Sequence, residues 1–323
     1  MSRTIAVADI GGTHARFALA EVADGRVVSL GEPVTLKTAD HPSFQSAWQE
    51  FGRVAGRDLP DALGMAFAGP VAGDVLKLTN NPWVIRPFLL KERLGVHQHK
   101  IVNDFGAVAH AVAQFGPEHF DQLCGLEGPM PETGVTSVIG PGTGLGVAQL
   151  MKTVESYHVI ETEGGHIDFA PLDALEDKIL AHLRERFGRV SIERIASGGG
   201  IVNLYRAIAS IEGQEAPHPD DEAIWASALE GSDPLAIAAL DRFFLSLGAV
   251  TGDMALAHGS NAVVIAGGLG FRLRDRFAAS GFAGRYIAKG RFEGRMEAIP
   301  VKLLNHPQPG LYGAAAAFAQ EYA

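Results

Sequence analysis

Cysteine is almost missing from this chain, with Cys124 the only one among 323 residues. An intrachain disulfide is therefore impossible and a cysteine-built structural zinc site has no ligands, which points to a reducing, cytoplasmic setting. Long apolar runs are lacking as well. Val263-Val264-Ile265-Ala266 soon meets Gly267-Gly268, far short of the roughly 18–20 residues that cross a bilayer. The opening stretch through Thr4–Ile10 has no charged segment followed by a long apolar one and a small-residue cleavage site, so nothing marks the chain for export. Positive charge is in the minority, 27 Lys+Arg against 37 Asp+Glu, and the net charge of −10 repels polyanions. Neither nucleic acid nor an anionic membrane is expected as a partner. Low-complexity tracts and short-period repeats are also wanting.

What remains is an ordinary globular composition, 47% hydrophobic and 20% charged, in a chain long enough for two lobes. Strand-like runs at Thr4–Ile10, Phe17–Val22, Leu63–Ala68, Val75–Thr79, Ile101–Asn103, Thr136–Ile139, Leu145–Leu150, Ala262–Ala266 and Val301–Leu304 interleave with helix-like spacing. The helical stretches are Ser43–Val54, Gly106–Gln114, Leu172–Phe187, Ile201–Ile211, Leu235–His258 and Leu311–Gln320. Alternation of this kind predicts an α/β architecture. Composition shifts at Pro117–Pro131, which is loop-rich, and at Asn305–Gly310 mark two breaks. With the alanine-rich last helix packing back on the first half, the expected lobes are 1–113 plus 305–323, the smaller, and 114–304, the larger.

Two glycine–threonine turns, each entered from an apolar strand and left by another, echo one another: Asp9-Ile-Gly-Gly-Thr13 and Gly140-Pro-Gly-Thr-Gly-Leu-Gly146. Glycines let backbone N–H groups converge on a ligand while Thr13 and Thr143 add hydroxyls, a nest suited to phosphate oxygens. Neither turn is a Walker A loop or a dinucleotide fingerprint, since no Gly-Lys-Ser/Thr follows and both run into strands rather than helices. A tight hairpin turn explains either one alone. Asp9 closes its strand where a carboxylate meets a phosphate-bridging metal ion, or where it merely bonds the turn backbone. Asp104, after Asn103, reads locally as the N-cap of the following helix. In Glu161–Asp168, Glu163 and His166 flank two glycines; without a second His or Cys at ligand spacing, no protein-bound metal is expected, and recognition of hydroxyls fits better. Glu193 reads locally as a first-turn helix carboxylate beside Ser191. Gly267-Gly268 offers a flat surface for a base or ribose, or for a packed helix.

Taken together, Asp9–Thr13, Asn103-Asp104-Phe105, Gly140–Gly146, Glu163-Gly-Gly-His166, Ser191–Gly198 and Ala266–Gly268 resemble the bacterial glucokinase family from end to end. The resemblance implies the two-lobed ribonuclease-H-like fold shared by hexokinases, actin and the 70-kDa heat-shock ATPases, with ATP and sugar held in a cleft between the lobes. It implies Asn103, Asp104, Glu163, His166 and Glu193 as sugar ligands, with Asp104 as general base toward the 6-hydroxyl of glucose. It also implies Asp9, Gly11, Gly12, Thr13, Gly142, Thr143, Gly144 and Gly268 as the nucleotide set, ATP with Mg²⁺ as the donor, and a homodimer. The cysteine cluster of the related repressor/open-reading-frame/kinase group cannot form here. His14 stands where the family usually has Asn; its imidazole still donates to phosphate, although histidine is the side chain whose charge changes near neutral pH. The competing expectations are a sugar-responsive regulator, another hexose kinase using the same pocket, and an actin-like or chaperone-like ATPase.

Overall fold

The chain opens with a hairpin, in which β1 (Arg3–Ile10) pairs antiparallel with β2 (His14–Ala23) and Ile10 faces Ala15 across the turn. The structure, a computed structural model, describes residues 2–78 and 81–323. Strands β3 (Arg26–Leu30) and β4 (Val34–Lys37) both pair with β2. On the other side, β5 (Ala62–Phe67) runs parallel to β1. A short hairpin of β6 (Leu76–Lys77) and β7 (Val84–Ile85) follows. Thr79, the end of the expected strand Val75–Thr79, lies outside the described residues. The sheet closes with β8 (Gln98–Asn103), parallel to β5.

Every residue of β5 is buried, as expected of a parallel strand covered on both faces. The two-residue period of β1 explains how. Ala6, Ala8 and Ile10 face one core with Phe17, Phe44, Trp48 and Trp83. Ile5 and Val7 face another with Leu311, Ala314 and Phe318 of the closing helix Pro309–Glu321. Helix α1 (Phe44–Ala55) supplies the first layer, entered through a reciprocal cap between Ser43 and Ser46 and ended by Gly56 at φ 65°. After the single-turn α2 (Leu90–Leu94), α3 (Asp104–Gln114) leaves β8 directly. The closing helix lies so near α3 that a methyl group at Gly313 would overlap the Ala107 carbonyl, so the small residues set the approach of the two backbones.

The second sheet has the order β12-β11-β10-β13-β14-β9, namely β9 (Phe120–Cys124), β10 (Gly134–Pro141), β11 (Leu145–Lys152), β12 (Tyr157–Thr162), β13 (Ala262–Ile265) and β14 (Val301–Leu304). The stretch Pro117–Pro131 is therefore not all loop. Its polar run Phe120–Cys124 is held as an edge strand by antiparallel pairing to β14, with a register shift at Val301/Lys302; that long-range partner is invisible in local sequence. Helices α4 (Ala174–Phe187), α5 (Gly200–Glu212), α6 (Asp221–Glu230) and α7 (Pro234–Ala257) build the accompanying core, with Tyr205, Trp225, Phe243 and Phe244 at its centre. Helix α7 is long and apolar enough to cross a membrane by length and composition, yet 72% of its most apolar window is buried in this core.

Both sheets mix parallel and antiparallel pairs and both carry helices, so the chain is α/β. It divides into two units. The first comprises 1–116, 159–161 and 306–323, and the second 117–158 and 162–305.

Candidate active site

In the first unit the ladders place Ile10 opposite Phe67 and Phe67 opposite Asn103. The carboxyl ends of β1, β5 and β8 thus form one sheet edge, the usual place for ligands in α/β sheets. That edge carries Asp9 with the Gly11–Thr13 turn at one strand and Asn103–Asp104 two strands away, about 10 Å by strand spacing. The turn is held from behind. Gly11 N–H donates to the His14 carbonyl at 3.0 Å, Thr38 N–H to the Thr13 carbonyl at 3.0 Å, and the Thr38 hydroxyl to the Gly12 carbonyl at 2.6 Å. Asn81 Nδ2 adds a bond to the same Gly12 carbonyl at 3.2 Å.

Asp9 faces Arg16 across the hairpin, with Arg16 Nη1 3.3 Å from its Oδ2. Burial pushes the Asp9 pKa above the ordinary carboxylate value, against the opposing charge and hydrogen bond of Arg16. At β8 the local sequence reading needs correcting. The N-cap of α3 is Asn103, whose Oδ1 accepts from Phe105 N–H at 2.9 Å and Gly106 N–H at 3.3 Å. Asn103 is extended at φ −58°, ψ 151°, so it can cap, and Asp104 is the first helical residue. Asp104 Oδ1 accepts from Phe105 N–H at 2.9 Å. The Asn103 amide is further fixed by donation from Nδ2 to the Gly69 carbonyl at 3.3 Å.

In the second unit, β10 and β11 form the matching hairpin around Gly142–Gly144, with Pro141 opposite Leu145. Gly142 N–H donates to the Gly144 carbonyl at 2.8 Å, and Gly198 N–H to the Gly142 carbonyl at 2.7 Å. Glu193 Oε2 accepts from Leu145 N–H at 2.9 Å, and a Cβ at Gly144 would overlap that carboxylate. Glu193, expected among the sugar ligands, thus braces the Gly142–Gly144 turn through one carboxylate oxygen. Thr143 at the tip is exposed. Parallel pairing of Ile139 with Ile265 brings Gly267, at φ 87°, and Gly268 to the same edge.

The two glycines between Glu163 and His166 have a packing cause. The single turn Gly164–His166 lies flat on β11, where a Cβ at Gly164 would come within 2.9 Å of the Val147 side chain and one at Gly165 would overlap the Leu145 carbonyl. The flanking side chains project outward, Glu163 72% and His166 57% exposed, with Nε2 and Oε2 3.9 Å apart. Arg189 fixes the turn by donating to the His166 carbonyl at 2.6 Å and pairing with Asp168 at 2.7 Å.

Three residues brace the site in ways the sequence reading did not assign: Thr38, Gly198 and Glu161. Glu161 Oε1 accepts the Asn103 N–H at 2.7 Å. Glu161 had a signal in its place two residues before Glu163, whereas Thr38 and Gly198 act from distances no spacing rule reaches. A cavity of about 750 Å³ in the first unit, beside Trp48, Arg53 and Asp58, contains none of the expected site residues. Among the described residues no three His, Cys, Asp or Glu side chains group as metal ligands.

The chain matches the glucokinase family over residues 6–321. It is 60% identical over 318 residues to a glucokinase of Zymomonas mobilis, covering 98% of each. Among solved structures it resembles a glucokinase from an Antarctic psychrotroph at TM-score 0.85 and 35% identity, covering 98% of both chains. A glucokinase of Balamuthia mandrillaris in complex with glucose shares the fold at TM-score 0.79 and 20% identity, covering 99% of this chain and 94% of that one. Two braced glycine turns, a capped Asn-Asp pair and a flat Glu-Gly-Gly-His turn thus stand in a chain whose relatives match it from end to end, and the chain belongs to the glucokinase family.

Proposed function

We propose that Asp104 is the general base in transfer of the γ-phosphoryl group of ATP to the 6-hydroxyl of glucose. ATP-dependent phosphorylation of glucose is the activity of the family to which the chain belongs. The observation that carries the assignment of Asp104 is the shared sheet edge, which aligns a braced phosphate turn with an aspartate at the first position of α3.

In this reading Gly11, Gly12 and Thr13, with Gly142, Thr143 and Gly144, cradle the triphosphate through backbone N–H groups and two hydroxyls, while Gly268 faces the nucleoside. Asn103, Asp104, Glu163, His166 and Glu193 bind the sugar hydroxyls. As the 6-oxygen bonds to phosphorus and the bond to the ADP oxygen breaks, Asp104 accepts the hydroxyl proton. Phosphoryl transfer needs alignment and charge stabilisation rather than a protein nucleophile. Asp9 supplies one hard carboxylate oxygen beside the turn, which suits Mg²⁺, an ion held through one or two carboxylates and the substrate's own phosphates. Bound there, Mg²⁺ would offset phosphate charge.

The finer architecture belongs to the same proposal: a ribonuclease-H-like, two-lobed enzyme with 1–113 plus 305–323 as the small lobe and 114–304 as the large one, cytoplasmic, homodimeric, and without nucleic-acid or membrane partners. A coupled ADP-release assay with and without glucose tests the reaction. Asp104→Asn should keep the fold and sugar binding but lose turnover by a factor on the order of 10² or more. Turnover within a few-fold of the parent removes Asp104 from the role.

A further inference from the structure

Of the three tryptophans in the chain, only Trp225 lies in the second unit. It sits on α6, 4% exposed, and packs edge-on against Phe243 of α7 with ring centroids 5.2 Å apart. Packing of that kind asks only for an aromatic ring, and phenylalanine would meet it. What tryptophan adds is a buried N–H, which needs an acceptor. Trp225 Nε1 donates to the Gly198 carbonyl at 3.1 Å.

The acceptor has a second connection. Gly198 lies between the short turn Ile192–Arg194 and α5, and its own N–H donates to the Gly142 carbonyl at 2.7 Å. The two backbones approach so closely that a Cβ on Gly198 would stand 3.0 Å from the Gly142 carbonyl oxygen. Gly142 N–H in turn donates to the Gly144 carbonyl at 2.8 Å. Three hydrogen bonds thus run in series from the indole to the far side of the turn. They fasten Gly198 on both sides of its Cα, which matters because glycine has the widest backbone freedom of any residue and no side chain to anchor it.

Trp225 also meets α8 (Gly268–Arg272), whose Arg272 guanidinium carbon stands 5.6 Å from the Trp225 ring centroid, inside the ~6 Å reach of cation–π attraction. That helix begins at Gly268, the residue read as facing the nucleoside. One buried indole therefore touches the supports of two parts of the nucleotide set, the turn through its N–H and α8 through its ring. Glu163 and His166 take no part in these contacts.

We propose, on the reading of Gly142–Gly144 as a phosphate cradle, that Trp225 is a positioning residue for the nucleotide: its N–H holds Gly198, and Gly198 holds the turn. Trp225→Phe keeps a ring and removes the N–H. In calorimetric titration with Mg²⁺ and the non-hydrolysable ATP analogue AMPPNP, the folded variant should bind about fivefold more weakly than the parent, the factor carried by one hydrogen bond of ordinary net strength. Its affinity for glucose should stay within twofold. Trp48→Phe, which makes the same change at a buried tryptophan of the first unit, should leave both affinities within twofold. If circular dichroism shows Trp225→Phe unfolded, benzothienylalanine at that position keeps the bicyclic shape and lacks only the N–H; the same loss is expected of it. Equal AMPPNP binding by the parent and the folded variant without the N–H, or an equal loss for AMPPNP and glucose, overturns the role of Trp225. Thr143→Val separates this from failure of the cradle. With binding unchanged at Trp225, weaker AMPPNP binding by Thr143→Val removes Trp225 alone, whereas unchanged binding by both variants removes the cradle as well.

Discussion

Gly310 stands at the start of the closing helix, where a Cβ built on its backbone would lie 2.8 Å from Asp9 Oδ2 and 2.9 Å from its Cγ. Gly310→Ala therefore drives a methyl group against the carboxylate proposed to face the phosphates. Ordinary contact begins near 3.4 Å, so Asp9 must give way by about 0.6 Å. Because a carboxylate is the end of a side chain rather than backbone, the stability cost stays within the ~1–3 kcal/mol of mild overpacking, and a helix-propensity gain of up to ~1 kcal/mol offsets part of it. Catalysis has no such offset. A misplacement of about 1 Å can cost roughly 100-fold, so about 0.6 Å should lower kcat on the order of tenfold, while the thermal midpoint moves by only a few degrees. Steady-state kinetics at saturating glucose and ATP, run beside a melting curve on the same preparation, separates the two effects. If kcat stays within twofold while a crystal structure shows the carboxylate displaced, Asp9 is not a positioning group for the phosphates.

Glu193→Gln should raise KM for ATP by roughly fivefold, as the charge-assisted bond to Leu145 N–H becomes a neutral one; a rise confined to KM for glucose would show that this bond does not set the turn. Thr38→Val removes the 2.6 Å bond to the Gly12 carbonyl from a residue only 2% exposed and should cost about 1 kcal/mol by denaturant titration. His110 on α3 has its pKa lowered from 6.5 to about 4, mainly by burial and secondarily by the Lys100 charge. Its folded-state pKa lies below the unfolded one, so the contribution is fully present above pH 6.5 and is lost as pH falls toward 4. The loss approaches about 3 kcal/mol at 1.36 kcal/mol per pH unit, and the stability of parent minus His110→Gln should shrink by that order between neutral pH and pH 4. A difference that does not change with pH would mean that His110 is not held neutral.

Much of this architecture was legible because period and punctuation agree locally. Val301–Leu304 is a strand with those bounds, Leu145–Leu150 extends only to Lys152, and Ser43 caps the helix whose spacing began there. The failures share a cause. Phe120–Cys124 alternates poorly and is a strand only through its distant partner. Asp221–Glu230 lies just past a polar loop and carries little amphipathic signal, yet Ile224, Trp225 and Ala228 anchor it in the core. At the site, residue types and glycine spacing located both turns, but not what braces them. Choosing between Asn103 and Asp104 as the cap required the backbone angles, since both side chains are capable of the bond.

The contribution of the closing helix to the first unit bears on the order in which the protein assembles as it is made. Chains emerge at roughly 5–20 residues per second and domains generally fold as units. Residues 1–116 of the first unit leave the ribosome before any of the second, but Leu311, Ala314 and Phe318, which cover one face of its sheet, follow residue 305. The unit begun first is thus completed last. Until then Ile5, Val7, Ala18 and Ala20 lack that apolar cover, and the nascent first half is the segment on which a chaperone has most to shield.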